Sequence, residues 1–352
     1  MVERRITIWA QSICRSTMAL YREVKRRAEA RVIVREDMEG KEARQFREAM
    51  GQCVNGYEDV VDYRWDGRED SGLELLDNSS IGIQVFSGYQ RSEAIRKLIR
   101  KAKARGDKVV ISDEAPCERC VGMKALLKRI YYYLILPPKL RPTIVAADMM
   151  MCSSGRSGIN RLRRLGWRDE QIVPFGYASE RLGSGEVETR TRKTSVPLKI
   201  LHLGDNDKRR GTDILQRAVE KLERAGLEVE LKMTGAKLPM SELLQELKNA
   251  DVMVACGRCE PWGMRVNDAL LEGCPVIVSD GMGVEMAVER YGCGAVVPRG
   301  DSQALAMALK RCAQDDEYYQ RIASGAKQAA EMMKPSRRAE EWLETMERIC
   351  AK

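Results

Sequence analysis

Histidine occurs once in these 352 residues, as His202. Ser-His-Asp nucleophile chemistry has a single imidazole to draw on. That imidazole sits inside the strand-like segment LKILHLG, where a place in the core is expected. Aromatic residues are scarce at 5%, and the basic first half lacks interleaved stacking residues. A nucleic-acid surface is therefore not expected. No apolar run approaches the ~20 residues that a membrane-spanning helix needs; the longest is IYYYLILPP at 130–138. The first residues, MVERRITIWAQS, show no apolar segment of the secretory kind. Low-complexity tracts are also missing. With 44% apolar and 32% charged residues, the composition is that of a soluble globular protein. Eleven cysteines, an odd number in a long chain, fit reduced cytoplasmic thiols better than a disulfide framework.

Charge is present in abundance and is uneven. The net charge is +8, and it is concentrated in the first half. Residues 91–164 hold 18 Lys and Arg against 6 Asp and Glu. Such a face suits an anionic lipid surface or an acidic acceptor; solvated helix faces are the plainer reading.

Strand and helix patterns alternate along the chain. RRITIWA, ARVIVRE, EDVVDYRW, SIGIQVFS, KVVISDE, TIVAADMMMCSS and QIVPFGY read as strands, and STMALYREVKRRAEA, RSEAIRKLIRKAKARG and SGINRLRRLGW as helices. KALLKRIYYYLIL reads as a helix stopped by Pro137 and Pro138. Residues 178–197 have the composition of a linker. The alternation then restarts with LKILHLG and runs to a helical C-terminus. Two α/β, doubly wound Rossmann-like domains are expected: 1–190, then 191–335, with 336–352 a terminal helix packing back on the first domain. Ligands of such sheets bind beyond the carboxyl ends of the strands, so a site in a central cleft between the domains is expected.

The most informative segment is CEPWGMRVNDALLEGCPVIVSDGMG at 259–283. A strand ends at Gly257, a loop carries Glu260, and Gly263 opens a helix. Free backbone N–H groups at a helix start form an anion site, and a glycine there allows close approach. Asp268, one to two turns on, is placed to accept hydrogen bonds from ligand hydroxyls, and Arg265 adds positive charge. Phosphate with vicinal hydroxyls describes a nucleotide sugar. A purely structural capping carboxylate is the alternative.

This segment resembles the donor-site signature of retaining glycosyltransferases of family 4, which have the GT-B fold of two Rossmann-like domains facing a central cleft. In that signature an acid is followed eight positions later by a second, then by a small residue, Gly, and Pro-Val-Ile. Here these are Glu260, Asp268 and 273–280. Residues 200–218 resemble the first strand and phosphate loop of the family's donor domain, and 144–177 its domain-closing strand–helix–strand. The resemblance implies a metal-independent, retaining transfer of a sugar from a nucleotide diphosphate sugar to a glycan or glycolipid acceptor, with no separate cofactor. It places Glu260 at the donor sugar and Asp268 at the ribose. The backbone of Gly263, Met264, Arg265 and Val266 would meet the diphosphate. In the phosphate loop, Gly204 is followed by Asp205 where the family has Arg, so Lys208, Arg209 or Arg210 must supply the charge. The family's acceptor-side histidine loop reads Ser112-Asp113-Glu114 here, which makes Asp113 or Glu114 the polar group. In the first loop Arg15 and Ser16 stand where the family has a glycine pair against the donor phosphate; they could replace those contacts, and with Asp113 they are assigned to the acceptor side. Glu260, Arg210 and Glu114 are the catalytic candidates, and a role in cell-surface polysaccharide or lipopolysaccharide synthesis follows from the resemblance.

Two Cys-x-x-Cys pairs, Cys117/Cys120 and Cys256/Cys259, lie in different domains and lack the spacing of a zinc ribbon; no metal site is expected. The segment 124–141 has basic ends and a Tyr/Leu/Ile middle. It suits either a membrane interface, peripheral on the inner face of the membrane, or packing on its own sheet. Two rivals share the architecture: a nucleotide-sugar epimerase, and a nucleotide-sugar-binding protein without transferase activity.

Overall fold

The computed structural model describes residues 5–35, 56–116, 123–192, 196–204, 208–235 and 238–351. The inner strands are short, mostly apolar runs, as expected where helices cover both faces of a sheet, and the edge strands Tyr63–Trp65 and Val229–Thr234 are more polar and exposed. β1 (Ile6–Ala10), β2 (Ala30–Arg35), β3 (Tyr63–Trp65), β4 (Ile83–Phe86), β5 (Lys108–Asp113), β6 (Met149–Cys152) and β7 (Ile172–Pro174) form one sheet. Its order is β3-β2-β1-β4-β5-β6-β7, and every pairing is parallel. β8 (Leu198–Leu203), β9 (Val229–Thr234), β10 (Val252–Ala255), β11 (Val276–Ser279) and β12 (Gly294–Val297) form the second sheet. Its order is β12-β11-β10-β8-β9, again all parallel. This is an α/β protein of the GT-B architecture.

Each sheet is sandwiched between two hydrophobic clusters. The final helix, Pro335–Cys350, gives Ala339, Trp342, Met346 and Ile349 to a cluster of the first sheet, where it lies along the Arg15–Arg27 helix. The chain thus returns to the domain where it began.

Three local expectations are corrected. Helix does not stop at Pro137 and Pro138. The Met123–Ile130 helix runs through a π turn at Tyr131–Ile135 into a further helix, Leu136–Ala146. Pro137 and Pro138 sit in the first turn of that helix, where a missing N–H costs little. The run TIVAADMMMCSS is correspondingly divided, since Thr143–Ala146 is helical and only Met149–Cys152 is strand. EDVVDYRW holds a 3-10 turn before the three residues of β3, and the Glu69–Asp77 helix that follows has no counterpart in the sequence reading.

The segment between β7 and β8 is tied down. The Arg190 guanidinium donates to the carbonyls of Leu247 (2.7 Å), Gly273 (3.0 Å) and Ala250, which satisfies carbonyls at two helix ends. The Glu272 carboxylate accepts from the backbone of Leu182 and Gly183 and pairs with Arg181.

Candidate functional site

A cavity of about 130 Å³ opens between the two sheets at the carboxyl ends of β1, β8, β10 and β11. Chain connectivity explains why it forms there, since every one of these strands delivers a loop to the same edge. Arg15 and Ser16 reach it from the start of the Arg15–Arg27 helix that follows β1. Leu203 lines it from the end of β8, and Arg209 and Arg210 from the connection that follows. Gly257, Glu260, Gly263, Met264, Arg265, Val266 and Asp268 line it from the connection after β10, and Met282 from the loop after β11.

Two glycines are required by geometry. Gly263 caps the Met264–Leu271 helix at φ 114°, and a Cβ there would lie 2.6 Å from Met282 Cε. Gly211 caps the Thr212–Arg224 helix at φ 75°, and a Cβ would lie 2.1 Å from the Cys256 carbonyl oxygen. Both angles fall in the left-handed region that side chains avoid. Both glycines also let neighbouring loops close on one another. The Arg258 backbone N–H donates to the Arg209 carbonyl at 2.7 Å, and its guanidinium makes a two-pronged ion pair to Asp213 at 2.8 and 2.7 Å. That pair holds the Asp213 carboxyl below its ordinary pKa and raises the Arg258 guanidinium. The arginine-bearing turn is therefore braced against the glycine loop. Asp213 and Arg258 were not singled out in the sequence, because nothing in a lone Arg or Asp signals a brace.

Glu260 is fixed by its backbone. Its N–H donates to the Gly281 carbonyl at 2.9 Å, and its carbonyl accepts from Gly283 at 3.1 Å. Glu260 is among the residues that line the cavity. Asp268 is 2% exposed. It pairs with Arg15 from the first domain, and with Arg265 one turn back on its own helix at 3.5 Å. Burial raises the Asp268 pKa, and both guanidiniums oppose that rise; burial likewise lowers Arg265. Arg15 also donates to the Glu180 carbonyl at 3.1 Å. The Arg210 guanidinium donates to the Leu203 carbonyl at 3.2 Å.

The structure thus gathers Arg15, Ser16, Arg210, Glu260, Gly263, Met264, Arg265, Val266 and Asp268 around one cavity. Arg15, expected with Ser16 on the acceptor side, pairs with Asp268, the carboxylate expected at the ribose. Asp113 and Glu114 are not among the lining residues. The Asp113 carboxylate accepts from the Gly88 and Glu114 backbone N–H groups at 3.0 and 2.9 Å, and burial pushes its pKa up to about 7. Glu114 Oε1 accepts from the Tyr177 hydroxyl at 3.1 Å. Gly204 lies outside the lining too, and a Cβ there would lie 2.2 Å from His202 Nε2. Asp205 and the Lys208 side chain lie outside the described residues.

His202 is 2% exposed, as its strand position implied. Its ring nitrogens meet the Val254 carbonyl at 2.9 Å and Thr212 Oγ1 at 3.0 Å, and burial lowers its pKa, so it is neutral. Cys256 is buried, with its sulfur 3.1 Å from the Gly211 carbonyl. Cys117 and Cys120 lie outside the described residues. No group of three metal-ligating side chains occurs among the described residues.

Residues 199–329 match the family described as glycosyl transferases group 1. Among solved structures, Anabaena HepE in complex with UDP is similar at 13% identity and a TM-score of 0.60, covering 97% of this chain and 99% of that one. Sucrose-phosphate synthase from Thermosynechococcus elongatus is similar at 12% identity and a TM-score of 0.60, covering 99% of each. The lipopolysaccharide outer core galactosyltransferase WaaB, in its apo form, is similar at 12% identity and a TM-score of 0.63, covering 96% and 98%. Among curated protein sequences none matches the chain.

Proposed function

We propose that this chain, a GT-B protein whose second domain carries the glycosyl transferases group 1 match, transfers a sugar from a nucleotide diphosphate sugar to a hydroxyl of a glycan or glycolipid, with retention of configuration. One observation carries the reading. Four arginines, Arg15, Arg209, Arg210 and Arg265, line the cavity against two carboxylates, Glu260 and Asp268, and His202 beside them is neutral. The excess of two positive charges matches a diphosphate, and the carboxylates match hydroxyls on either side of it.

In this reading the diphosphate lies against the arginines and the backbone at the start of the Met264–Leu271 helix. As the bond from the sugar to the diphosphate breaks, charge grows on the leaving oxygen. Preorganised guanidiniums and helix-end amides stabilise that charge more than they stabilise the ground state. Glu260 holds sugar hydroxyls and Asp268 the ribose. The acceptor hydroxyl attacks from the face the diphosphate leaves, and a diphosphate oxygen takes its proton. No enzyme nucleophile and no metal takes part. The Anabaena neighbour is described with UDP and with UDP-glucose, so uridine diphosphate sugars are the first donors to test.

The test is a thermal-shift panel of nucleoside diphosphates and their sugars, followed by donor hydrolysis without acceptor. A ligand that binds only the folded state raises the melting temperature. Stabilisation with slow hydrolysis is expected. Stabilisation with no turnover on any donor would leave a nucleotide-sugar-binding protein, and no stabilisation would remove the donor site.

A further inference from the structure

The helix that runs through the two prolines has two different halves. In Leu136–Ala146, the side chains of Leu136, Leu140 and Ile144 are buried against the first sheet. In Met123–Ile135 Tyr132 alone of the described large apolar side chains packs on that core, and the others are exposed. Met123, Leu126, Leu127 and Ile130 recur at the three-and-four spacing of one helix face, and Leu134 follows through the π turn. An apolar stripe on a globular helix normally faces the core. Here Met123 is 72% exposed, Leu127 61% and Leu134 69%. Of fifteen exposed large hydrophobic side chains among the described residues, eight fall within these 13 residues. So dense a cluster marks a surface that something else covers.

The charges around it select the partner. Residues 123–147 contain five Lys and Arg and no Asp or Glu. Lys128, Lys139 and Arg141 are exposed. Arg164, on the adjoining Arg156–Leu165 helix, lies over the Tyr133 ring at 5.5 Å and donates to its hydroxyl at 2.7 Å. An apolar helix face with exposed Tyr131 and Tyr133 along it, in a stretch of chain that itself carries cations and no acid, matches an anionic bilayer surface. Leucines enter the acyl boundary, tyrosines sit at headgroup depth, and cations meet lipid phosphates. A protein partner would be expected to need some acid on this face for register.

We propose that Met123–Ile135 is an interfacial helix that docks the first domain onto an anionic membrane. Two weak terms act together: apolar insertion of one short helix, and attraction of the basic residues around it. Docking is therefore reversible and depends on salt. This assignment concerns where the acceptor is met and holds independently of the donor-site reading.

The test is sedimentation of the full-length protein with two kinds of vesicle: phosphatidylcholine alone, and phosphatidylcholine mixed equally with phosphatidylglycerol. Binding to the anionic vesicles at low salt, and its loss at high salt, is expected. Leu127→Glu and Leu134→Glu should each weaken that binding by about tenfold or more, because a carboxylate replaces an inserted leucine. Both positions are exposed, so melting temperature and donor hydrolysis should not change. A wild-type protein that stays in the supernatant with anionic vesicles at low salt overturns the proposal. So do variants that pellet as well as wild type, and binding indifferent to lipid charge. A dimer that Leu127→Glu dissociates, with no vesicle binding, would assign the face to a second copy of this chain instead.

Discussion

Removing Arg15 should affect nucleosides and nucleoside diphosphates in opposite ways. In the structure Arg15 crosses from the first domain to the buried carboxylate of Asp268, which Arg265 approaches at 3.5 Å. In the proposed donor pose a nucleotide shares that carboxylate, because its ribose hydroxyls donate to it. Arg15→Ala frees Asp268 from one partner, so a bare nucleoside should bind as well as before or more tightly. The same change removes one of four cations facing the diphosphate. A hydrogen bond to a charged group is worth ~1.5–3 kcal/mol, so the diphosphate should lose about ten- to hundredfold in affinity. Asp268→Asn should weaken nucleoside and diphosphate alike, by about tenfold or more, since a neutral acceptor replaces an ionised one. In the double variant the effects should not add, because the two side chains share one contact. Calorimetric titration of uridine, its monophosphate and its diphosphate against the four proteins reads all of this. If Arg15→Ala weakens nucleoside and diphosphate by the same factor, Arg15 does not meet phosphate. If Asp268→Asn leaves nucleoside affinity intact, the ribose assignment is wrong.

Glu260→Gln should leave diphosphate affinity unchanged and lower turnover, since the proposed donor pose puts its carboxylate at the sugar; equal turnover in a transfer assay would contradict that role. Arg210→Ala should reduce both affinity and turnover, with the larger effect on turnover because charge on the diphosphate grows as the bond breaks; steady-state kinetics beside titration would show it. Activity should persist in excess chelator. The loop after β8 carries Asp205-Asn206-Asp207, outside the described residues, so complete loss on chelation with recovery on adding manganese would redirect attention there. Asp113 titrates near 7 in the fold against ~3.9 in an unfolded chain, so the native state holds a proton that the unfolded state lacks between those values. Its stabilising contribution is full below about pH 4 and is lost as pH rises through 7, by up to about 4 kcal/mol; denaturant melts from pH 4 to 8 should be flatter for Asp113→Asn, and an unchanged slope would mean that Asp113 does not titrate there.

Much of the fold was readable because parallel strands buried on both faces appear as short continuous apolar runs. ITIWA and VIVS could be placed without any tertiary knowledge, and in the structure both are wholly buried. The errors fall where local rules compete. Two adjacent prolines are a stop signal in the helix interior but a good fit in a first turn, and the sequence does not say that a π turn will restart the count at Leu136. The Glu69–Asp77 helix is nine residues long and begins after a charged loop, so its periodicity covers little more than two turns. The segment 178–197 has the composition of a free linker, yet Arg190 and Glu272 tie it to the second domain. Composition does not register such ties, because one guanidinium can satisfy several carbonyls at once.

The site divides along the same line. Glu260, Gly263 and Asp268 lie within nine residues of one another, so their spacing on a glycine-opened helix could be read directly from the chain. What spacing cannot give is charge arriving from far away. Arg15 stands 253 positions from Asp268, and nothing in ICRSTM distinguishes an arginine that crosses a domain boundary from one that faces water. Its charge nevertheless changes what the cavity can bind. With Arg209, Arg210 and Arg265 against two carboxylates, the second domain alone supplies one excess positive charge, and Arg15 raises that to two. A monoanion would be met by the second domain without help, whereas a diphosphate calls for both domains. The cation that completes the balance is held by Asp268, the carboxylate that a ribose would need. In the proposed donor pose nucleotide binding rearranges an ion pair between the two domains, and it is this coupling that the Arg15→Ala titration measures.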